Sequence, residues 1–210
     1  MNLADKVTST RLISAPVFFV VYFLPRLFPS IFAVPPPPGA ESLHIVGPVW
    51  TVPVLWILFL GSELTDLLDG IIARKRREVS DFGKLFDPFA DTLTQLTFFF
   101  CFVMDGILQP VLFLIMLYRE FSILLIRNLM LKKGVTLGAR MGGKIKTVSY
   151  VCTAGLALSA SSLVRLGING LAYRISIIAA KGVFFISVVV ALVSFFDYLA
   201  QYLKTPKNQI

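Results

Sequence analysis

The chain has 210 residues, of which 56% are hydrophobic and only 15% are charged. A soluble domain carries about 25% charged residues, so this chain has too little polar surface for water, and lipid should surround most of it. The length fits one compact membrane domain, residues 1–210. Two cysteines in apolar runs and a lone histidine, His44, offer neither a disulfide framework nor a histidine-based metal site or triad.

Six apolar segments are long enough to be membrane-spanning helices, because a helix needs about 20 apolar residues to cross the hydrocarbon core. A short amphipathic N-terminal arm, residues 1–10, precedes them. The segments cover residues 11–33, 49–72, 84–105, 108–131, 145–167 and 171–202. We therefore predict an all-α integral membrane protein with six transmembrane helices.

The connections between these segments alternate in charge. Lys and Arg are concentrated in the arm, the second and fourth connections and the tail, whereas residues 34–48 have none and residues 163–171 have only Arg165. By the positive-inside rule, both termini and the two basic connections lie in the cytoplasm. Most of the net charge of +8 then faces anionic headgroups, so we expect a lipid bilayer and no nucleic acid as partner.

The stretch DLLDGIIARKRREVSDFGKLFDPFAD, residues 66–91, sets five aspartates between two apolar segments. On a helix, Asp66 and Asp69 share one face with small residues, and Asp87 and Asp91 do so on the next helix. Four converging carboxylates repel one another unless they share protons or bind cations, and four can hold two hard ions such as Mg²⁺ or Mn²⁺. The alternative is that each aspartate pairs with a base of the intervening loop.

The spacing Asp-x2-Asp-Gly-x2-Ala-Arg-x8-Gly-x3-Asp-x3-Asp, which begins at Asp66 and ends at Asp91, resembles the signature of the CDP-alcohol phosphatidyltransferases. The resemblance implies six transmembrane helices with an active site at the cytoplasmic membrane face. It implies transfer of a phosphatidyl or phosphoalcohol group from a CDP-linked donor to an alcohol, with release of CMP.

The same resemblance implies a role for each matching residue. Asp66, Asp69, Asp87 and Asp91 would hold two divalent cations, Mg²⁺ or Mn²⁺, and Asp91 would also be the general base on the acceptor hydroxyl. In the arm, Asp5 stands where the family often has Asn. The CDP-binding residues would be Thr8, Arg11, Asp66, Gly70, Ala73, Arg74, Ser80 and Gly83.

Charged residues in the second half of the chain bear on the acceptor. Arg119 and Glu120 lie near the middle of the fourth segment, where charge is expensive in lipid, and Arg127 lies nearer its cytoplasmic end. They form either a structural ion pair between helices or a pocket for an anionic group. The run GARMGGKIKT, residues 138–147, is either a headgroup-binding loop or a clamp on an acceptor phosphate.

Both stretches are similar to one subfamily, the CDP-diacylglycerol–glycerol-3-phosphate 3-phosphatidyltransferases. The similarity implies CDP-diacylglycerol and sn-glycerol 3-phosphate as substrates, phosphatidylglycerophosphate and CMP as products, a homodimer, and a bacterial inner membrane. The residues expected to bind the acceptor phosphate are Arg119, Arg127, Arg140, Lys144 and Lys146.

Two alternatives stay open at this point. The first is another acceptor, inositol phosphate or serine, used by an enzyme of the same family. The second, more remote, is an ion-coupled transporter that uses Glu120 and Lys181 as intramembrane charges. It is disfavoured because the two halves of the chain show no repeat and the carboxylates cluster at one membrane face.

Overall fold

The computed structural model describes residues 3–32, 47–76, 81–132 and 141–204, with side chains described over 11–32, 47–65, 86–131 and 145–204. Throughout these ranges the secondary structure is α-helical and no strand is present. The helices are α1 (Leu3–Leu27), α2 (Pro29–Phe32), α3 (Thr51–Arg76), α4 (Asp81–Met104), α5 (Pro110–Lys132), α6 (Met141–Arg165) and α7 (Leu171–Lys204).

Each of the six predicted segments coincides with one long helix, so the predicted all-α fold class is confirmed for the described residues. The arm is not separate, because α1 already begins at Leu3. The first segment ends sooner than predicted, at Leu27, and the short helix α2 follows it. Helix α3 continues to Arg76, well beyond its apolar part.

Glycine ends two of these helices. Gly106 and Gly167 have φ angles of 69° and 76°, a left-handed conformation that costs glycine little. After α6, the Ile168 amide donates to the Leu163 carbonyl and the Gly167 amide donates to the Val164 carbonyl. This is the Schellman pattern, and the same pattern follows α4. It turns the chain sharply, so α4 is joined to α5 and α6 to α7 by short connections.

An aromatic core positions α4 within the bundle. The Phe98 ring lies 4.5 Å from Phe18 of α1 and 5.6 Å from Phe59 of α3. One residue on, Phe99 packs 5.5 Å from Tyr150 of α6 and 5.6 Å from Phe184 of α7. Successive residues of α4 therefore contact opposite sides of the bundle, so α4 lies between α1 and α3 on one side and α6 and α7 on the other.

Helices α6 and α7 pack closely because their facing residues are small. Short side chains let two helix backbones approach and gain dispersion contacts. A hydroxyl pair, Thr153 Oγ1 and Ser187 Oγ at 3.0 Å, adds a polar contact across this surface. The buried alanines of the two helices are Ala154, Ala157, Ala160, Ala180 and Ala191.

Two helices are long and apolar enough to cross a membrane by length and composition, over Ile145–Arg165 and Leu171–Lys204, in the part of the chain described. Large apolar side chains cover the outward face of α7, where Ile178 is 71% exposed and Val193 is 66% exposed. A surface of this kind is suited to lipid rather than to water. The topology of six spans with cytoplasmic termini stays a prediction.

A polar cluster ties four segments together at one end of the bundle, and we call it the distal polar cluster. It consists of Tyr22, Arg26, Thr51, Asp105, Ser161 and Arg165. Asp105 accepts hydrogen bonds from the Tyr22 hydroxyl and, at 2.8 Å, from Arg26 Nη2. Arg165 Nη1 donates to Thr51 Oγ1 at 2.8 Å, and its Nη2 donates to the Tyr22 carbonyl at 3.3 Å. The cluster therefore links α1, α3 and α6 to the turn after α4.

Replacing Gly47 by alanine should loosen this cluster. A Cβ at Gly47 would lie 1.8 Å from Arg165 Nη1, so the guanidinium would have to give up its bond to Thr51. Losing a hydrogen bond of a charged group costs about 2 kcal/mol. We expect a lower melting temperature in detergent for Gly47→Ala. Gly61→Ala is the control, since a Cβ at Gly61 meets nothing within 4 Å. Equal melting temperatures for both variants would contradict the role of Arg165.

Candidate active site

Asp87 and Asp91 lie one turn apart near the start of α4. Four residues of α-helix rise about 6 Å, so their carboxylates lie on one face, within reach of a shared ligand. Both side chains are half-buried, while Ala90 between them is fully buried against the bundle. The pair therefore lies at the edge of the core, where it can meet a ligand.

Arg11 of α1 lies beside this pair. Its side chain is buried, and its Nη1 is 3.9 Å from Asp91 Oδ1, close enough for an ion pair. The packing of Phe18 against Phe98 brings α1 and α4 together here. The structure thus joins two residues that the sequence assigns to one site, although they are 80 positions apart.

The other predicted residues of this site lie where the structure describes less. Asp66 and Asp69 are on the helical stretch of α3, but their side chains are outside the described set. Among the side chains that are described, no three Asp, Glu, His or Cys residues cluster closely enough to hold a metal ion. The remaining residues with undescribed side chains are Thr8, Gly70, Ala73, Arg74, Gly83 and Lys144, and Ser80 and Arg140 lie outside the described residues altogether.

The donor chemistry suits a hard cation. Asp87 and Asp91 offer carboxylate oxygens, the ligands that Mg²⁺ and Mn²⁺ prefer, and α3 adds Asp66 and Asp69 to the same set by sequence. The one-turn spacing lets two carboxylates of one helix address the same ion. The described half of the predicted set therefore fits a divalent metal.

A second group of charges lies between α5, α6 and α7, and we call it the Glu120 cluster: Arg119, Glu120, Lys146 and Tyr150. Glu120 Oε1 accepts from Arg119 Nη1 at 2.6 Å, from Tyr150 Oη at 2.8 Å and from Lys146 Nζ at 3.1 Å. Its Oε2 accepts from Lys146 at 3.2 Å. Arg119 Nε also donates to the Ala191 carbonyl of α7 at 2.9 Å. The four side chains thus form a continuous hydrogen-bonded network.

Arg127 lies elsewhere on α5. Its guanidinium is 5.6 Å from the centre of the Tyr198 ring of α7, a cation–π contact. Glu120 and Arg127 are seven residues apart, but the contacts of Glu120 go to Arg119, Lys146 and Tyr150. Of the five predicted acceptor residues, the structure places Arg119 and Lys146 in one cluster and Arg127 on the α5–α7 contact.

Tyr150 connects the Glu120 cluster to α4, and its part was not expected from the sequence. Its hydroxyl donates to Glu120, and its ring packs on Phe99 of α4. The spacing of Lys146 and Tyr150, four residues on one helix, was the available signal. The Glu120 cluster therefore packs against α4, the helix that carries Asp87 and Asp91.

Comparison with known proteins identifies the family of this chain. The family model described as CDP-alcohol phosphatidyltransferase matches residues 1–195. The chain belongs to this family. The CDP-alcohol phosphatidyltransferases generally depend on metal ions, which accords with the carboxylates of α4.

Two curated relatives of this CDP-alcohol phosphatidyltransferase carry the name CDP-diacylglycerol–glycerol-3-phosphate 3-phosphatidyltransferase. The protein of Treponema pallidum (strain Nichols) is 36% identical over 209 residues, which is 99% of this chain and 92% of the relative. That of Bacillus subtilis (strain 168) is 29% identical over 153 residues, 71% of this chain and 72% of the relative. The similarity thus extends far beyond the aspartate signature.

Removing one carboxylate of α4 should weaken metal binding. We expect Asp91→Asn and Asp87→Asn each to raise the dissociation constant for Mn²⁺ at least tenfold, because each removes an anionic oxygen ligand. Free Mn²⁺ is measured by electron paramagnetic resonance on the detergent-purified protein. Asp197→Asn is the matched control, since Asp197 is an exposed aspartate of α7. Equal losses in all three variants would contradict a site on α4.

Proposed function

We propose that this chain transfers the phosphatidyl group of CDP-diacylglycerol to sn-glycerol 3-phosphate, giving phosphatidylglycerophosphate and CMP. The observation that carries the proposal is a sequence identity of 36%, over 99% of this chain, with the Treponema pallidum protein named CDP-diacylglycerol–glycerol-3-phosphate 3-phosphatidyltransferase. The charges of the Glu120 cluster and the carboxylates of α4 supply the chemistry that such a reaction needs.

The proposed setting is a bacterial inner membrane. The six long helices would span the bilayer, with both termini and the aspartates at the cytoplasmic face, as the distribution of Lys and Arg favours. One substrate is a lipid and the other is dissolved in the cytoplasm, so a site at this boundary is accessible to both. A homodimer is part of the same proposal.

Asp66, Asp69, Asp87 and Asp91 are proposed to hold two divalent ions, Mg²⁺ or Mn²⁺. When bound, such ions neutralise a diphosphate and stabilise the charge of a departing phosphate. The described pair on α4 supports this assignment through its oxygen donors and its one-turn spacing.

Asp91 is proposed as the general base. Its carboxylate would take the proton of the acceptor hydroxyl as the hydroxyl oxygen bonds to the phosphorus that carries diacylglycerol. The bond from that phosphorus to the bridging oxygen breaks, and CMP leaves with that oxygen. Arg11, 3.9 Å from Asp91, would hold the carboxylate in its orientation.

The CDP part is proposed to bind where α1, α3 and α4 meet. Arg11 brings a buried positive charge to this place, which suits a diphosphate. Glycine and alanine on α3 and α4 would let the nucleotide approach the helix backbones. The proposed set is Thr8, Arg11, Asp66, Gly70, Ala73, Arg74, Ser80 and Gly83.

The acceptor phosphate is proposed to bind among basic residues of α5 and α6 and of the connection between them. Lys146 is the described member with the best support, because its cluster packs through Tyr150 against α4, the helix that carries Asp91. A positive pocket suits a phosphorylated acceptor better than serine, whose own ammonium it would repel. The proposed set is Arg119, Arg127, Arg140, Lys144 and Lys146.

CMP release tests the proposal. Detergent-purified protein with CDP-diacylglycerol and Mg²⁺ or Mn²⁺ should release CMP when glycerol 3-phosphate is added, and not with inositol phosphate, serine or glycerol. Asp91→Asn should lower kcat at least 100-fold, because general-base catalysis contributes about 10²–10⁴ in rate.

The Asp197→Asn variant serves as control and should keep the wild-type rate. Release with a different acceptor would keep the family chemistry and overturn the proposed acceptor. An Asp91→Asn enzyme with full activity would overturn the proposed base.

A further inference from the structure

Glu120 is enclosed by donors. It is 4% exposed and accepts hydrogen bonds from an arginine, a lysine and a tyrosine on two helices. A buried carboxylate needs such partners, because its desolvation is costly. The proposed function uses the two cations and gives this carboxylate no task.

The charges of the cluster do not cancel. Glu120 faces both Arg119 and Lys146, so one carboxylate stands against two cations. A cluster whose only task is to join helices would be most stable with equal charges, since an uncompensated buried charge is costly. The excess of one positive charge within the cluster is suited to an incoming anion.

The two cations of the cluster differ in their accessibility. Arg119 Nε is fixed to the Ala191 carbonyl, and the Lys146 side chain is the more accessible cation, at 13% exposed against 4% for Arg119. Lysine carries three N–H donors on a flexible stem. The Lys146 ammonium contacts both carboxylate oxygens of Glu120, at 3.1 and 3.2 Å, which fixes its position.

Tyr150 adds a second restraint. The Lys146 ammonium lies 4.8 Å from the centre of the Tyr150 ring, whose hydroxyl donates to Glu120. The same ring packs 5.5 Å from Phe99 of α4, the helix that carries Asp91. The fixed ammonium therefore lies beside the ring that packs against the helix of the proposed general base.

We propose that Glu120 is a positioning residue, which holds the Lys146 ammonium in place to receive the phosphate of the acceptor. This inference rests on the proposed function for the identity of the acceptor. Glu120 does not touch the substrate itself. It acts through Lys146. Without the Glu120 carboxylate, the Lys146 ammonium would no longer be held in one position.

The test is a double-mutant cycle of Glu120→Gln and Lys146→Gln, read as separate KM values for the two substrates. Glu120→Gln should raise the KM for glycerol 3-phosphate at least tenfold and leave the KM for CDP-diacylglycerol within twofold. In the Lys146→Gln background it should change the glycerol 3-phosphate KM less than twofold, because residues that act as one unit are not additive. Equal effects in both backgrounds, or no effect in either, would overturn the inference.

Tyr150→Phe is the matched control, because it removes one hydrogen bond to Glu120 and keeps every charge and the ring over Lys146. It should change the glycerol 3-phosphate KM less than threefold. A rise equal to that of Glu120→Gln, or a parallel rise in both KM values, would assign the effect to packing and overturn the inference. Should Glu120→Gln fail to fold, Glu120→Asp gives the same test, since its shorter carboxylate cannot reach Lys146 in the same way.

Failure of the proposed function gives a different result. If the wild type releases CMP only with another phosphorylated acceptor, the proposed acceptor is wrong, and the cycle is read on that acceptor. If no acceptor supports release, the cycle is read on the dissociation constant of glycerol 3-phosphate by titration calorimetry. Wild-type protein that binds no glycerol 3-phosphate, or a constant that Glu120→Gln leaves unchanged, would overturn the inference.

Discussion

A charge inside an apolar helical bundle must find a partner, because neither lipid nor packed hydrocarbon replaces its hydration. This constraint explains where the described charges lie. Arg165 is surrounded by a threonine hydroxyl, a backbone carbonyl and a tyrosine ring, and Glu120 is surrounded by three donors. In both cases the partners lie on separate helices, so the polar contacts also determine how the bundle is assembled.

Polar contacts determine the assembly because apolar side chains discriminate poorly between a neighbouring helix and lipid. The aromatic core fills the space between helices, but several rotations of a phenylalanine-rich helix would bury similar area. The bond of Arg119 to Ala191 and the bonds of Glu120 to Lys146 and Tyr150 select one register among α5, α6 and α7. The core provides cohesion, and the two polar clusters provide specificity.

The helical segments could be predicted from the sequence because their apolar runs are long and the connections are short. The pairing of Asp87 with Asp91 also followed from spacing alone, since both lie on one helix. The partners of Glu120 could not be predicted. Besides its neighbour Arg119, its partners are Lys146 and Tyr150 of another helix, α6. Long-range partners depend on packing, which periodicity does not report.

The first helix shows the same limit. The sequence indicates an amphipathic arm before an apolar span, because polar residues precede the apolar ones. The structure begins α1 at Leu3, since nothing in the arm breaks a helix, so the arm and the span form one helix. The proximity of Arg11 to Asp91 follows from the packing of α1 on α4, which the sequence does not report.

The distal polar cluster has a mechanical consequence for the other end of the bundle. It fixes α1, α3 and α6 to the turn after α4, about 25 Å along α4 from Asp87 at 1.5 Å per residue. With one end held, any change in helix tilt becomes a rotation about that end, and a tilt of two degrees displaces Asp87 by about 1 Å. Catalytic constellations tolerate displacements of only about 0.5 Å. Bilayer thickness changes the tilt of membrane helices, so in a bilayer a change in the tilt of α4 would displace its two carboxylates relative to α1 and α3.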